Sequence, residues 1–176
     1  ITLLAGATVT PIGGRLGDMY GKRRMLLVSM GAVAVGSAVC AVSSSLIPFL
    51  IGRGLQGLGF GTIALGVSVM RDIVPPRYLG SSVGTMSASL GIGGALGLPV
   101  AASISEYVGW HIMFWLCGGA AALAGLGIAL TVPESTGRSG GRFDLPGAVG
   151  LAAMLACLLL PLSMGATWGW ISPATL

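Results

Sequence analysis

The chain has 176 residues, 54% of them hydrophobic and only 8% charged, with 31 glycines. Soluble domains carry about 25% charged residues, so a water-soluble globular fold is excluded and a membrane protein is indicated. The formal charge of +4 does not describe a nucleic-acid-binding face, because the bases stand at the ends of long apolar runs. The cysteines Cys40, Cys117 and Cys157 are odd in number and far apart, which fits neither a disulfide framework nor a zinc site.

Residues 1 to about 14 read as the end of a first helix, with Pro11 a kink near its charged end. The apolar run begins at once and Leu176 marks no evident terminus, so a fragment of a longer chain is expected. Gly13 to Met25 then gathers four of the nine bases and one of the five acids. It is expected to be a tight loop between two spanning helices, held on the cytoplasmic side by its positive charge. Its glycines permit a sharp turn or a close approach of two backbones. Asp18 is expected just past the end of the preceding helix, where the macrodipole disfavours an acid. It therefore needs a partner, either the following cations or the N-terminus of another helix.

A second span is expected from Met25 to about Ile47, with Ser43, Ser44, Ser45 and Pro48 marking its far end. A third runs from Pro48 to about Met70 and contains one charge, Arg53, about 8 Å below its outer end. Arg71, Asp72, Pro75, Pro76 and Arg77 form the next loop. A fourth span covers Tyr78 to about Ile104, and Glu106 to Trp110 is a short turn. A fifth covers Trp110 to about Val132. After a Gly- and Ser-rich connector, a sixth covers Pro146 to about Ala166, with Asp144 as its N-cap and Pro146 in its first turn. Each of the later spans has about the 20 residues needed to cross a bilayer core. Trp168 and Trp170 suit the interface belt.

If the helices alternate, Arg15, Lys22, Arg23, Arg24, Arg71, Arg77, Arg138 and Arg142 all fall on one side. The other side carries Glu106 and His111 and no Lys or Arg, which is a positive-inside pattern. Small residues recur every four positions at Ser89, Gly93, Gly97, Ala101 and Ser105, and again at Cys117, Ala121, Gly125 and Ala129. Each set lies on one helix face and allows close helix contact. His111 beside Trp110 reads as an interfacial residue, with an external pH sensor as the alternative. The sequence offers no nucleophile–base set, metal cluster or phosphate loop, so neither an enzyme nor a cofactor is expected.

The charged stretch resembles the signature loop of the major facilitator superfamily, Gly-x-Leu-Ala-Asp-x-x-Gly-(Arg/Lys)-(Arg/Lys). Gly14, Leu16, Asp18, Gly21, Lys22 and Arg23 fall on its positions, and Gly17 replaces the small Ala. The resemblance implies a latch between the second and third helices, in which Asp18 pairs with neighbouring cations and a helix end of the opposite half. Arg53, Gln56, Gly57 and Gly59 match the fourth-helix pattern Arg-x-x-Gln-Gly-x-Gly, whose Arg the family links to proton coupling. Gly84, Gly93 and Gly97 match the spacing of the fifth-helix antiporter motif. Pro99 comes one residue later than that motif requires, and Ala101 and Ala102 replace its last glycines.

The resemblance implies an all-α transmembrane protein: the N-terminal six-helix half of a major facilitator fold, missing its first helix, plus the first linker helix of the fourteen-helix branch. Arg142 to Ala148 is similar to the segment that enters that extra helix. Residues 1–132 are then part of the N-terminal half, 133–145 a cytoplasmic connector, and 146–176 an additional transmembrane helix and its outer end. The implied function is proton-coupled efflux of hydrophobic or cationic drugs by alternating access. The implied place is the inner membrane of a bacterium, and a lysine-poor, Ala- and Gly-rich composition points to a GC-rich genome. The expected partners are the substrate, protons, lipid and the missing C-terminal half. A symporter for a sugar or organic acid and a non-transporting scaffold or sensor stay open. A channel fits poorly, because the spans offer Arg53 and no rings of polar residues.

Overall fold

The computed structural model describes residues 2–134 and 144–168, and within them every element is helical. Helix α1 is Thr2–Tyr20, α2 is Lys22–Val42 and α3 is Leu46–Gly57. A short 3-10 turn, Leu58–Phe60, joins α3 to α4, Gly61–Ile73. Helices α5, α6 and α7 are Pro76–Tyr107, Trp110–Thr131 and Leu145–Trp168. Four stretches are long and apolar enough to cross a membrane: Lys22–Val42, Leu46–Ile73, Pro76–Tyr107 and Trp110–Thr131. In α7 the stretch Pro146–Leu159 is apolar.

The expected loop at Gly13–Met25 is not a loop. α1 continues to Tyr20, past Pro11, and α2 begins at Lys22. Gly21 alone separates them, with φ 102° and ψ 127°, a conformation closed to side chains with a Cβ. Its N–H closes α1 on the Gly17 carbonyl at 3.0 Å, and its own carbonyl accepts from Met25 at 3.1 Å to open α2. One residue with positive φ thus does what a longer loop would otherwise do. Asp18 consequently lies inside the last turn of α1 and not beyond it.

Other boundaries shift by about a turn. The second span ends at Val42, five residues before the expected Ile47, and the third starts at Leu46. α5 outlasts its expected range at both ends, because Pro76 starts the helix at a position where a missing N–H costs nothing. Gly109, with φ 109°, makes the sharp turn into α6. Asp144 caps α7 as its position implied: its Oδ1 accepts from the Gly147 N–H at 2.9 Å. The expected interface residue Trp170, and Arg138 and Arg142, lie outside the described residues.

Helix α2 is the hub, packing on α1, α3, α4 and α6. In a bilayer, helices gain little by hiding apolar surface from one another, so close van der Waals approach decides the contacts. Glycine provides that approach here. A Cβ on Gly36 of α2 would stand 2.7 Å from the Gly52 carbonyl oxygen of α3, and one on Gly52 would stand 2.6 Å from Cys40 Sγ. Gly57 faces Ala5 and Gly6 of α1, and a Cβ on Gly17 would collide with the buried Leu65 of α4.

Helix α5 contrasts with this. Among the described residues it touches only α4 and α6, and it has no buried residue. Its hydroxyls satisfy themselves on the carbonyl one turn back, as Thr85 on Ser81 and Ser89 on Thr85, each at 2.9 Å. On α6 the four-residue spacing is only partly the contact face. Ala121 is buried and Gly125 approaches Met30, but Cys117 is exposed and its place is taken by Gly118, against Ser37.

Candidate functional site

Two groups of polar residues stand out, one at the basic end of the bundle and one inside it. At the basic end, the N-terminus of α2 meets the C-terminal ends of α1, α4 and α6. Lys22 Nζ lies 2.7 Å from Asp72 Oδ2 on α4 and 3.9 Å from Asp18 Oδ1 on α1. Lys22 is only 8% exposed, and its ammonium also donates to the Ser68 carbonyl at 3.5 Å. Arg23 and Arg24 flank Glu134, just past α6, at 3.9 and 3.7 Å. Arg23 also donates to the Ala129 carbonyl, near the C-terminal end of α6 where a cation is favoured.

This arrangement gives Asp18 the cationic partner that its position at a helix C-terminus demands. Asp72 and Glu134 were not singled out from the sequence. Asp72 carried a usable signal, an acid beside a base in an otherwise positive loop, of the same kind that drew attention to Asp18. Glu134 carried none, because only the fold brings it over Gly21. A Cβ at Gly21 would stand 2.7 Å from Glu134 Oε1, a contact to which the flexible carboxylate can yield, so it is the φ that calls for glycine. Of the remaining loop positions, Gly14 has open space around it, while Gly13 and not Gly14 approaches α4, at Gly61 Cα.

Inside the bundle, Arg53 and Gln56 lie three residues apart on one face of α3. Arg53 Nη1 donates to Gln56 Oε1 at 2.9 Å, and Gln56 Nε2 donates to Ser37 Oγ on α2 at 2.9 Å. Arg53 Cζ sits 5.9 Å from the centroid of the Phe114 ring on α6, within cation–π range. Ser37 is completely buried and Phe114 is 7% exposed. Three helices therefore converge on the guanidinium. Among the described residues no carboxylate pairs with it.

Beyond Phe114 an aromatic cluster leads to the other end of the bundle. Phe49, Trp110 and Phe114 meet edge to face, with centroids 5.7–6.0 Å apart. An open groove of about 620 Å³ follows, lined by Ser43–Ser45, Leu46, Phe49, Trp110 and His111. His111 is exposed and lies against Trp110.

Gly57 does not join Arg53 and Gln56. It and Gly61 lie four residues apart on one face, which α1 fills: Gly57 abuts Ala5 and Gly6, and Gly61 lies near Val9. On α5, Gly84, Gly93 and Gly97 have nothing within 4 Å, and the helix runs on through Pro99. That face is unoccupied by any other described helix.

The family model described as Major Facilitator Superfamily matches residues 1–176. The chain is 30% identical over 174 residues to multidrug resistance protein 3 of Bacillus subtilis (strain 168), covering 98% of this chain and 33% of that protein. It is 35% identical over 175 residues to the tetracenomycin C resistance and export protein of Streptomyces glaucescens, covering 96% and 32%. It is 30% identical over 172 residues to the probable actinorhodin transporter of Streptomyces coelicolor (strain ATCC BAA-471 / A3(2) / M145), covering 95% and 30%. The chain thus spans about a third of the length of these relatives.

Proposed function

We propose that this chain, which belongs to the Major Facilitator Superfamily, serves proton-coupled efflux of hydrophobic or cationic drugs by alternating access. Three relatives are named for multidrug resistance, for tetracenomycin C export and for actinorhodin transport. The chain is an integral membrane protein by its family and its apolar helices. The inner membrane of a bacterium is the setting we infer, since those relatives are from Bacillus and Streptomyces. The elements fit helices two to seven of a fourteen-helix transporter, with α7 as the first linker helix.

The observation that carries the coupling role is the placement of Arg53. It lies about 10 Å along the span that starts at Leu46. A charge deep in a span costs about 2.5–3.5 kcal/mol or more. Snorkelling to the surface would lower that cost. Instead the guanidinium is turned inward, onto Gln56 and the face of Phe114. Arg does not give up its proton in proteins, so it acts as a fixed positive charge. Such a charge lowers the pKa of a nearby acid and helps it release a proton at the right stage. The acid would be supplied by a part of the transporter outside the described residues.

In the same reading, Asp18, Lys22, Asp72, Arg23, Arg24 and Glu134 hold the basic end of the bundle closed. The small-residue face of α5 serves the partner half of the transporter. The test is Arg53→Lys in the intact transporter. It should insert normally and lose most proton-coupled efflux, since Lys lacks the fork and the fixed charge. Drug efflux and drug-induced proton release in energised vesicles would be followed. Parent-like rates would make Arg53 a structural residue and remove the coupling role.

A further inference from the structure

We propose that Ser37 on α2 is the positioning residue for Arg53, acting through Gln56. The inference rests on the coupling role assigned to Arg53 and adds a residue that no sequence pattern singled out.

The geometry runs in one direction. Gln56 presents its amide oxygen to Arg53 and its amide nitrogen to Ser37, both at 2.9 Å. An amide side chain has near-identical shape in its two flipped orientations, and a partner on one end decides which end is which. Arg53 carries only donors, so it takes the amide oxygen and leaves Nε2 facing α2. The Ser37 hydroxyl accepts from that Nε2 and so anchors the end of Gln56 that Arg53 does not hold.

Ser37 is suited to this because it cannot move. It is fully buried, and Gly118 of α6 packs so closely that a Cβ there would stand 3.2 Å from Ser37 Cβ. One residue earlier, Gly36 brings α2 against the backbone of α3. On the far side the Phe114 ring limits the guanidinium. Arg53 is thus held between a hydrogen-bonded amide fixed by α2 and an aromatic face fixed by α6. In a bilayer, an amide that loses its partner has no water to replace it. A small change at Ser37 should therefore be felt at Arg53, one residue removed.

The experiment uses the intact transporter with four forms: parent, Ser37→Ala, Gln56→Met and the double variant. Drug efflux and protons released per drug molecule are measured, with membrane insertion as a control. Ser37→Ala should lower coupled efflux by about three- to tenfold, the range expected for one interhelical hydrogen bond, and lower the proton-to-drug ratio. In the Gln56→Met background the same change should add nothing, because the relay is already cut. If the two losses add, or if the ratio stays at the parent value in Ser37→Ala, Ser37 only fills the α2–α6 contact and the proposal fails. Arg53→Lys is run beside them. If that variant keeps full coupling, the role of Arg53 fails; if it loses coupling while Ser37→Ala does not, only the positioning role fails.

Discussion

Replacing Gly36 by Ala should pry α2 from α3. The added Cβ would stand 2.7 Å from the Gly52 carbonyl oxygen, 2.8 Å from Leu55 Cβ and 3.1 Å from the Gln56 nitrogen. Two of these are backbone atoms, which cannot swing aside. A relaxed contact needs about 3.5 Å, so the helices must part by about 0.8 Å at the crossing. The Ser37–Gln56 hydrogen bond, now 2.9 Å, would open to about 3.7 Å, beyond hydrogen-bond reach. Overpacking of this kind costs about 1–3 kcal/mol, and an interhelical hydrogen bond in a membrane is worth about 0.6–1.7 kcal/mol. The gain in helix propensity from Gly to Ala returns about 1 kcal/mol. A net loss of about 0.6–3.7 kcal/mol is expected.

Gly31 provides the control on the same helix, since it is exposed and a Cβ there meets nothing within 4 Å. Gly31→Ala should be neutral, or stabilising by up to about 1 kcal/mol. Thermal unfolding of the purified intact protein in detergent, followed by tryptophan fluorescence, would compare the two. Gly36→Ala should unfold at a clearly lower temperature than Gly31→Ala. Equal midpoints for both variants, at or above that of the parent, would refute the close-crossing argument.

The other predictions concern the basic end. Gly21→Ala should destabilise by about 1–3 kcal/mol, because it forces φ 102° on a residue with a Cβ and drives that Cβ toward Glu134; unaltered yield and unfolding temperature would speak against a built turn. Asp72→Asn should cost about 1–3 kcal/mol by leaving the buried Lys22 ammonium with Asp18 at 3.9 Å as its acid. Adding Lys22→Met should recover part of that loss, read as a coupling in a double-mutant cycle. Asp18→Asn should leave insertion intact and strongly reduce transport, and cysteine accessibility from the cytoplasmic side should rise. Parent-level transport and accessibility would reduce Asp18 to a helix-end residue.

Amino-acid order alone determined the membrane class, because a run of about 20 apolar residues has few other stable homes. It also determined helix beginnings where local chemistry acts, as Asp144 shows by capping α7. The loop motif marked Gly14, Leu16, Asp18, Gly21, Lys22 and Arg23; of these Lys22 lies near Asp18, Arg23 and Gly21 lie near Glu134, and Gly14 faces open space. The resemblance to the fourth-helix pattern also marked Arg53 and Gln56, which sit three residues apart on one helix face and hydrogen-bond. What it missed involves partners distant in sequence. Ser37 looked like one small residue among many, and only the α2–α3 crossing brings its hydroxyl to Gln56. Phe114 drew no notice in the sequence, and only α6 packing on α2 lays it beside Arg53. Glu134 reaches Arg23 and Arg24 because α6 ends where α2 begins in space. The charged stretch itself was misread as a loop, because sequence shows that glycine permits a turn and not how few residues the turn will use. Helix periodicity and charge are properties of neighbours along the chain, and one sequence can disclose them. Which faces meet is decided by close van der Waals fit between whole helices, and that fit exists only once the bundle is assembled.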